Sequence, residues 1–187
     1  MIPPRIAILA DDLTGAADTA AGMLAAGRPW VTWRRSNGTL AWHDEDRIVA
    51  IDAGTRQASA ADAGRSVRDL AALCRTAGFA HIYKKIDSTL RGHIGIEVKA
   101  ALDGWGHRSL AIVAPAFPAM RRTMVDGRQR VDDVPLDCPP LAETLTGRPE
   151  SAVAETTWRV SSAAVAGSVE VTVIDCRPLV TVRSYDF

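Results

Sequence analysis

The stretch Arg5–Ala10, RIAILA, constrains the fold of this chain more than any other. After its arginine it is wholly apolar, with no polar residue at alternate positions. A strand with one wet face alternates apolar and polar residues. An unbroken run belongs to a strand covered on both faces, as in a parallel sheet between two helix layers. The next residues, DDLTGAADTAAGMLAAG, predict such a cover. Asp12 or Thr14 caps a helix, Gly27 ends it, and its alanines and glycines let it lie close to the sheet.

The pattern repeats. Pro29–Arg34 (PWVTWR) and Arg47–Ala53 (RIVAIDA) read as the second and third strands. Ser59–Ala77 has helical spacing through Ala63, Val67, Leu70, Ala71 and Leu73, with Gly78 as its stop. HIYKKI is a fourth strand, Ile94–Leu102 a helix, and SLAIVAPA a fifth strand ending at Pro115. Strands and helices alternating at this interval predict a doubly wound, mostly parallel α/β sheet with flanking helices. Residues 121–136 break the pattern. Short alternating runs around Asp126–Gly127 predict a β-hairpin insertion. Residues 137–168 read as loop with one short helix, and VEVTVIDC as a last strand, with no helix signal after it.

A length of 187 residues suits one domain with its own core. Lys plus Arg and Asp plus Glu balance at 22 each, and the arginines are spread along the chain, so neither nucleic acid nor membrane is expected as a partner. Cys74, Cys138 and Cys176 are three, far apart and in no CxxC pair. They read as reduced thiols rather than a disulfide framework or zinc site. The apolar run in MIPPRIAILA falls far short of the roughly 18–20 residues that span a bilayer. No signal peptide is read, and the expected location is cytoplasmic.

In a doubly wound sheet, ligands bind at the edge formed by the C-terminal strand ends. Four such ends carry polar clusters. The first holds Asp11, Asp12 and Thr14, with Asp18 a turn later; the second holds Asp52, Thr55 and Arg56. The third holds Lys84, Lys85, Asp87, Ser88, Thr89 and Arg91, and the fourth Pro115–Pro118 with Arg121, Arg122 and Thr123. Arg56 and Arg91 offer forked donors suited to a carboxylate or phosphate. Ser88 and Thr89 are read at a helix start, where hydroxyls and free N–H groups face the same edge. Asp11 and Asp12 accept from sugar hydroxyls, or take a proton from one. Together the set suits a sugar acid. Simpler readings stand beside it: Thr14 as a cap, Asp52 as a turn residue, Arg121 and Arg122 as solvated hairpin charges. Only three of the cations are lysines, and two of these, Lys84 and Lys85, are adjacent. Neighbours on a strand face opposite ways, so one enters the site while the other pairs elsewhere.

GxxxxGK[ST], GxGxxG and a nucleophile elbow are all missing. The acidic pair also suits a receiver-like phospho-switch, with Asp52 as acceptor and Lys84 or Lys85 as the partner cation. That reading lacks the Ser/Thr strand end it needs between them.

The segments ILADDLTGAADTA, AGTR, YKKIDSTLRGHIGIE and APAFPAMRRTMVDGRQRVDDVPL, in this order and spacing, resemble the four-carbon acid sugar kinase family. The likeness covers residues 5–136 well and weakens toward 176. It implies phosphorylation of threonate, erythronate or a 3-oxo-tetronate by ATP. It also implies that this whole chain, 1–187, is the sugar-acid-binding domain. Carried over by motif, Asp11 and Asp12 activate or contact the acceptor hydroxyl, Asp12 being the first choice. Arg56, Ser88 and Arg91 hold the carboxylate and neighbouring hydroxyls; Thr89 sits in the same motif. Lys84 or Lys85, with Asp87, orders the site. ATP and Mg²⁺ would bind a C-terminal domain that is not read here. The expectation is therefore a truncated or frameshifted chain, inactive alone, with a separately encoded nucleotide-binding half or a homodimer as its possible assembly. The rival expectation is a non-catalytic sugar-acid sensor.

Overall fold

The structure, a computed structural model, describes residues 4–33, 40–106, 110–125, 127–139, 141–146 and 170–173. Strand β1 (Ile6–Ala10) lies inside a four-stranded parallel sheet of order β2-β3-β1-β4, with β2 at Pro29–Trp33, β3 at Ile48–Asp52 and β4 at His81–Lys84. Ala7 to Ala10 are all fully buried, as the apolar run requires. Their side chains divide by parity. Ile8 and Ala10, with Ile48 and Ala50, meet Ala16 and Ala20 of α1 (Leu13–Gly22). Ala7 and Leu9, with Val49 and Ile51, meet Val67, Leu70, Ala71 and Cys74 of α2 (Ala60–Thr76). The sheet is thus wound on both faces, as expected from the sequence.

Helix α1 is capped by Asp12, whose carboxylate accepts from Gly15 N at 2.7 Å. It ends at Gly22, before the expected Gly27, and a short 3₁₀ turn at Leu24–Ala26 fills the interval. Helix α2 is capped by Ser59. Its inward stripe runs through Cys74 rather than Leu73, which is 44 % exposed. Burial pushes the Cys74 thiol up to about 12, so it remains protonated and unreactive.

Helix α3 (Ile94–Trp105) runs three residues past its expected end and has two jobs. Ala100 and Ala101 join the core beneath α2, while Ile94, Val98 and Leu102 join a second core with Val113, Met124 and Leu141. That second core contains β5 (Leu110–Val113), β6 (Arg122–Val125) and α4 (Leu141–Thr146). Strand β5 does not extend the main sheet. It pairs in parallel with β9 (Glu170–Val173), and a gap separates it from the outer edge of β4. The expected hairpin is present and gains a strand: β6, β7 (Arg128–Val131) and β8 (Val134–Pro135) form an antiparallel meander. Asp132 and Asp133 both have positive φ, the backbone of a two-residue I′ turn. The Asp126 position, Arg34, the tail and Cys176 lie outside the described residues, as does most of 137–168.

Gly104 sets how closely α3 approaches α2, for a methyl there would lie 2.1 Å from the Arg68 carbonyl oxygen. In an open helix Gly→Ala stabilises by about 1 kcal/mol. Here overpacking outweighs that gain. Gly104→Ala is expected to destabilise the fold by about 1–3 kcal/mol, measured as a lowered urea midpoint at unchanged slope.

Candidate functional site

Strands β1 and β3 are neighbours whose following helices leave to opposite faces of the sheet. That arrangement opens a crevice above their C-terminal ends. The loop after β3 folds across it: Thr55 N and Arg56 N both donate to the Asp11 carbonyl at 3.0 Å. This brings the Arg56 side chain over the end of β1. Its guanidinium grips the Asp11 carboxylate through two nitrogens, Nε to Oδ2 and Nη2 to Oδ1. Nη2 also lies 3.2 Å from Asp12 Oδ2, and Nη1 lies 3.4 Å from Asp87 Oδ1. One cation therefore faces three carboxylates from two strand ends. The hydrogen bond from Arg56 to Asp11 is the largest influence on the guanidinium and raises its pKa further above an already high value.

Asp87 organises the loop between β4 and α3. Thr89 N, the Thr89 hydroxyl and Arg91 N donate to it, and the Arg91 side chain reaches both oxygens at 2.9 and 3.0 Å. Burial alone would raise the Asp87 pKa. The hydrogen bonds from Arg91 and Thr89 and the charge of Arg56 override it and hold the carboxyl well below the usual range. Leu90 and Gly92 have positive φ, so no helix starts at Ser88 or Thr89. Helix α3 begins at Ile94, with His93 before it. The expected helix start at Ser88–Thr89 is thus corrected: the Asp87 carboxylate takes up the nearby N–H groups in a loop.

Asp11, Asp12, Asp52, Gly54, Arg56 and Arg91 border a cavity of about 490 Å³. Asp11 is the deep member, with its side chain 4 % exposed, and Asp12 the accessible one, at 35 %. Asp52 accepts from Gly54 N at 2.8 Å. Burial raises its pKa, and the charges of Asp12 and Asp11 add to the rise. Gly92 borders this cluster closely, since a methyl on it would lie 3.1 Å from Asp11 Oδ2. The aspartates Asp11, Asp12, Asp52 and Asp87 outnumber Arg56 and Arg91. The cluster carries two formal negative charges, and its exposed oxygens are acceptors for hydroxyl or cationic donors.

The two lysines diverge. Lys84 Nζ bonds Glu97 Oε2 of α3 at 2.7 Å, with both side chains at least nine-tenths buried. Lys85 lies on the α1 face, where Nζ donates to the Ile86 carbonyl at 2.6 Å. With Ser88 it borders a separate cavity of about 380 Å³. Of the residues read as candidates, Asp11, Asp12, Arg56, Asp87, Thr89 and Arg91 form one network. Lys85 and Ser88 stand beside it, and Lys84 is turned away toward α3. Asp52, weighed in the sequence as a strand-end acid or a turn residue, also borders the site, as does Gln57, which was not among the candidates. Nothing in the sequence separates Asp52 from a turn residue until β3 is set beside β1. Gln129 is a long-range addition, donating from the hairpin to the Ser88 carbonyl at 2.7 Å. No spacing rule links those two positions.

Among the described residues, no group of three or more His, Cys, Asp or Glu side chains is arranged to hold a metal ion. Arg56 itself fills the space between the aspartates. The residues present therefore do not suit Mg²⁺. No described helix is long and apolar enough to cross a membrane.

A family described as the sugar-binding N-terminal domain matches residues 6–171. The chain belongs to that family. It is 41 % identical over 138 residues to a D-threonate kinase of Bordetella bronchiseptica, covering 71 % of this chain and 34 % of that protein. It is 35 % identical over 136 residues to a D-erythronate kinase of Heliobacterium modesticaldum, covering 71 % and 30 %. A Bordetella bronchiseptica domain of unknown function, solved with citrate as a domain-swapped dimer, superposes with a TM-score of 0.71 at 30 % identity, covering 90 % of this chain and 47 % of that one. The chain spans about a third of the length of these curated relatives. The matched region of this sugar-binding domain contains both strand ends of the Arg56 network.

The buried Lys84–Glu97 pair yields a stability prediction. Losing one partner strands a charge, so Glu97→Leu is expected to cost about 3–5 kcal/mol. The double variant Lys84→Met, Glu97→Leu recovers most of it. These are read from urea denaturation at pH 7 beside Lys84→Met alone; a double-variant loss equal to the sum of the two single losses would show that the pair is not coupled. Asp87 yields a pH prediction. Its folded pKa lies below the ordinary 3.8, so its stabilisation is present above that value and is lost as pH falls below it. Asp52 runs in the opposite direction, so the comparison is made between variants. Asp87→Asn is expected to be less stable than wild type at pH 7 and to lose less stability between pH 5 and pH 2.

Proposed function

We propose that this chain is the substrate-binding part of an ATP-dependent kinase acting on a four-carbon sugar acid: threonate, erythronate or a 3-oxo-tetronate. The observation that carries the reading is the Arg56 network, which fixes Asp11, Asp12 and Asp87 at the C-terminal edge of a parallel sheet. It presents more carboxylate oxygens than the arginines consume. A polyol chain supplies the hydroxyl donors that such a surface lacks. The relatives named as D-threonate and D-erythronate kinases support the substrate class. The citrate in the Bordetella neighbour, itself a hydroxy acid, agrees with it.

Within this reading Asp12 is the residue that accepts or orients the proton of the acceptor hydroxyl. It is the accessible aspartate, and its other oxygen is held by the α1 cap. Asp11 and Arg56 are positioning residues, because they are largely buried and bond chiefly to each other. Arg91 and Thr89 keep Asp87 ionised and in place. Phosphoryl transfer asks a protein mainly to position groups and neutralise charge. ATP with Mg²⁺ supplies the phosphoryl group; we place both on a partner domain, because Arg56 already engages Asp11, Asp12 and Asp87. The partner is either a separately encoded nucleotide-binding half or another part of a longer protein. A homodimer fits the domain-swapped neighbour. We further place the protein in the cytoplasm, where its thiols stay reduced.

Isothermal titration of the chain with D-threonate, D-erythronate and ATP tests this reading. The expected result is binding of at least one sugar acid and none of ATP. Activity restored by an added nucleotide-binding domain would favour the kinase over a sensor. No heat with either acid, or ATP binding without acid binding, would overturn the reading. Asp11→Asn is expected to lower sugar-acid affinity by about tenfold or more, since it frees Arg56 from its anchor.

A further inference from the structure

Position 129 is a place where the pattern of the meander calls for an apolar side chain. Gln129 of β7 lies directly opposite Met124 of β6, so the two share a face, and both are buried, at 1 % and 0 % exposure. Met124 packs with Leu90, Ile94, Val98 and Leu141 in the second core. An amide buried there gives up its water, and only one end of this one is compensated. Nε2 donates to the Ser88 carbonyl at 2.7 Å, while Oε1 is buried and meets no donor among the described residues. A methionine of similar length would be buried without stranding that acceptor. The chain thus keeps a costly side chain for a single bond, and that bond crosses from the meander to the loop between β4 and α3.

That loop is knotted on itself. The bonds from Thr89 and Arg91 to the Asp87 carboxylate all lie within residues 87–91. They fix its internal shape and leave its position over the sheet to contacts from outside. On the sheet side, Arg56 Nη1 lies 3.4 Å from Asp87 Oδ1. On the meander side, Gln129 holds the Ser88 carbonyl, and Leu90, at φ 61°, turns its side chain into the second core. A leucine in the left-handed region is strained, and such a residue persists only where its surroundings hold it. Here the packing around Met124 and the Gln129 bond supply the hold. We propose that Gln129 is a positioning residue: from the meander it sets where the knotted loop presents Asp87 and Arg91 to the Arg56 cluster. It touches no ligand itself. The inference takes its ligand from the sugar-acid reading above and adds to it a route from the second core to the site.

The test uses the full chain with Gln129→Met, and with Leu141→Ala as a control that opens the same core and leaves the Gln129 bond in place. Three quantities are compared with wild type: the urea midpoint, D-threonate affinity by calorimetry, and amide hydrogen exchange at Thr89 and Arg91. Gln129→Met is expected to keep a midpoint close to wild type, to lose about tenfold in threonate affinity, and to exchange faster at both amides. Leu141→Ala is expected to lower the midpoint while threonate affinity and exchange at these amides stay as in wild type. Affinity and exchange in Gln129→Met equal to wild type overturn the assignment. A parallel loss in Leu141→Ala overturns it too, since core stability alone would then be the cause. A wild type that gives no heat with threonate removes the sugar-acid reading, and exchange at Thr89 and Arg91 then decides the positioning role by itself.

Discussion

The site depends on the guanidinium of Arg56. Without it, Asp11, Asp12 and Asp87 would be like charges crowded at one edge of a sheet. Each such pair about 4 Å apart costs on the order of 4 kcal/mol at the effective dielectric of a protein surface. With it, the three become ligands of one cation, and the loop after β3 is tied to the ends of β1 and β4. The choice of arginine matters. A lysine offers a point charge, whereas the flat fork of Arg56 bonds Asp11 through two nitrogens and still faces Asp12 and Asp87 with its outer edges. Asp52, close by but outside the fork, is pushed upward chiefly by burial, while the bonds from Arg91 and Thr89, with the charge of Arg56, override burial and hold Asp87 low.

Such a cluster is a poor device for stability. Buried ion pairs roughly break even against apolar packing, and excess acids at one edge work against folding. The cost makes sense at a place where donors will arrive from outside. The sheet order supplies the place. Helix α1 covers one face and α2 the other, so β1 and β3 end in loops that part from each other, and the residues just after them are held by backbone yet open to solvent. Rigid strands below and a cap at Asp12 fix these carboxylates more tightly than surface loops would.

Much of this was legible in the residues alone. The unbroken run of β1 fixed a two-sided cover, and the parity of Ala7 to Ala10 against α1 and α2 is what such a run has to become. The polar strand ends pointed to the right edge. What stayed hidden depends on distance in the chain. Whether Ser88 starts a helix is decided by Asp87 taking its loop's N–H groups and by the positive φ at Leu90, which short-range propensity does not register. The separation of β5 from β4 reflects its pairing with β9, about sixty residues away in sequence. Asp52 looked like a turn residue because locally it is one, bonding Gly54 N; its second environment exists only once β1 lies alongside.

The adjacent lysines show how one local rule produces two unlike outcomes. Alternation at the end of β4 sends Lys84, its last residue, toward α3 and Lys85, the next residue, toward α1. On the α3 side the chain supplies Glu97, and the resulting pair is buried and complete in charge. On the α1 side it supplies a backbone carbonyl, a serine hydroxyl and open space. A chain that carries nearly all its cations as arginine places lysine where a thin stem must pass through packed surroundings, beside Gly15 in one case and against α3 in the other. Arginine at position 85 would bring a broad planar head to a gap that a glycine already keeps narrow. A compact ammonium on a thin stem fits there and still reaches the Ile86 carbonyl.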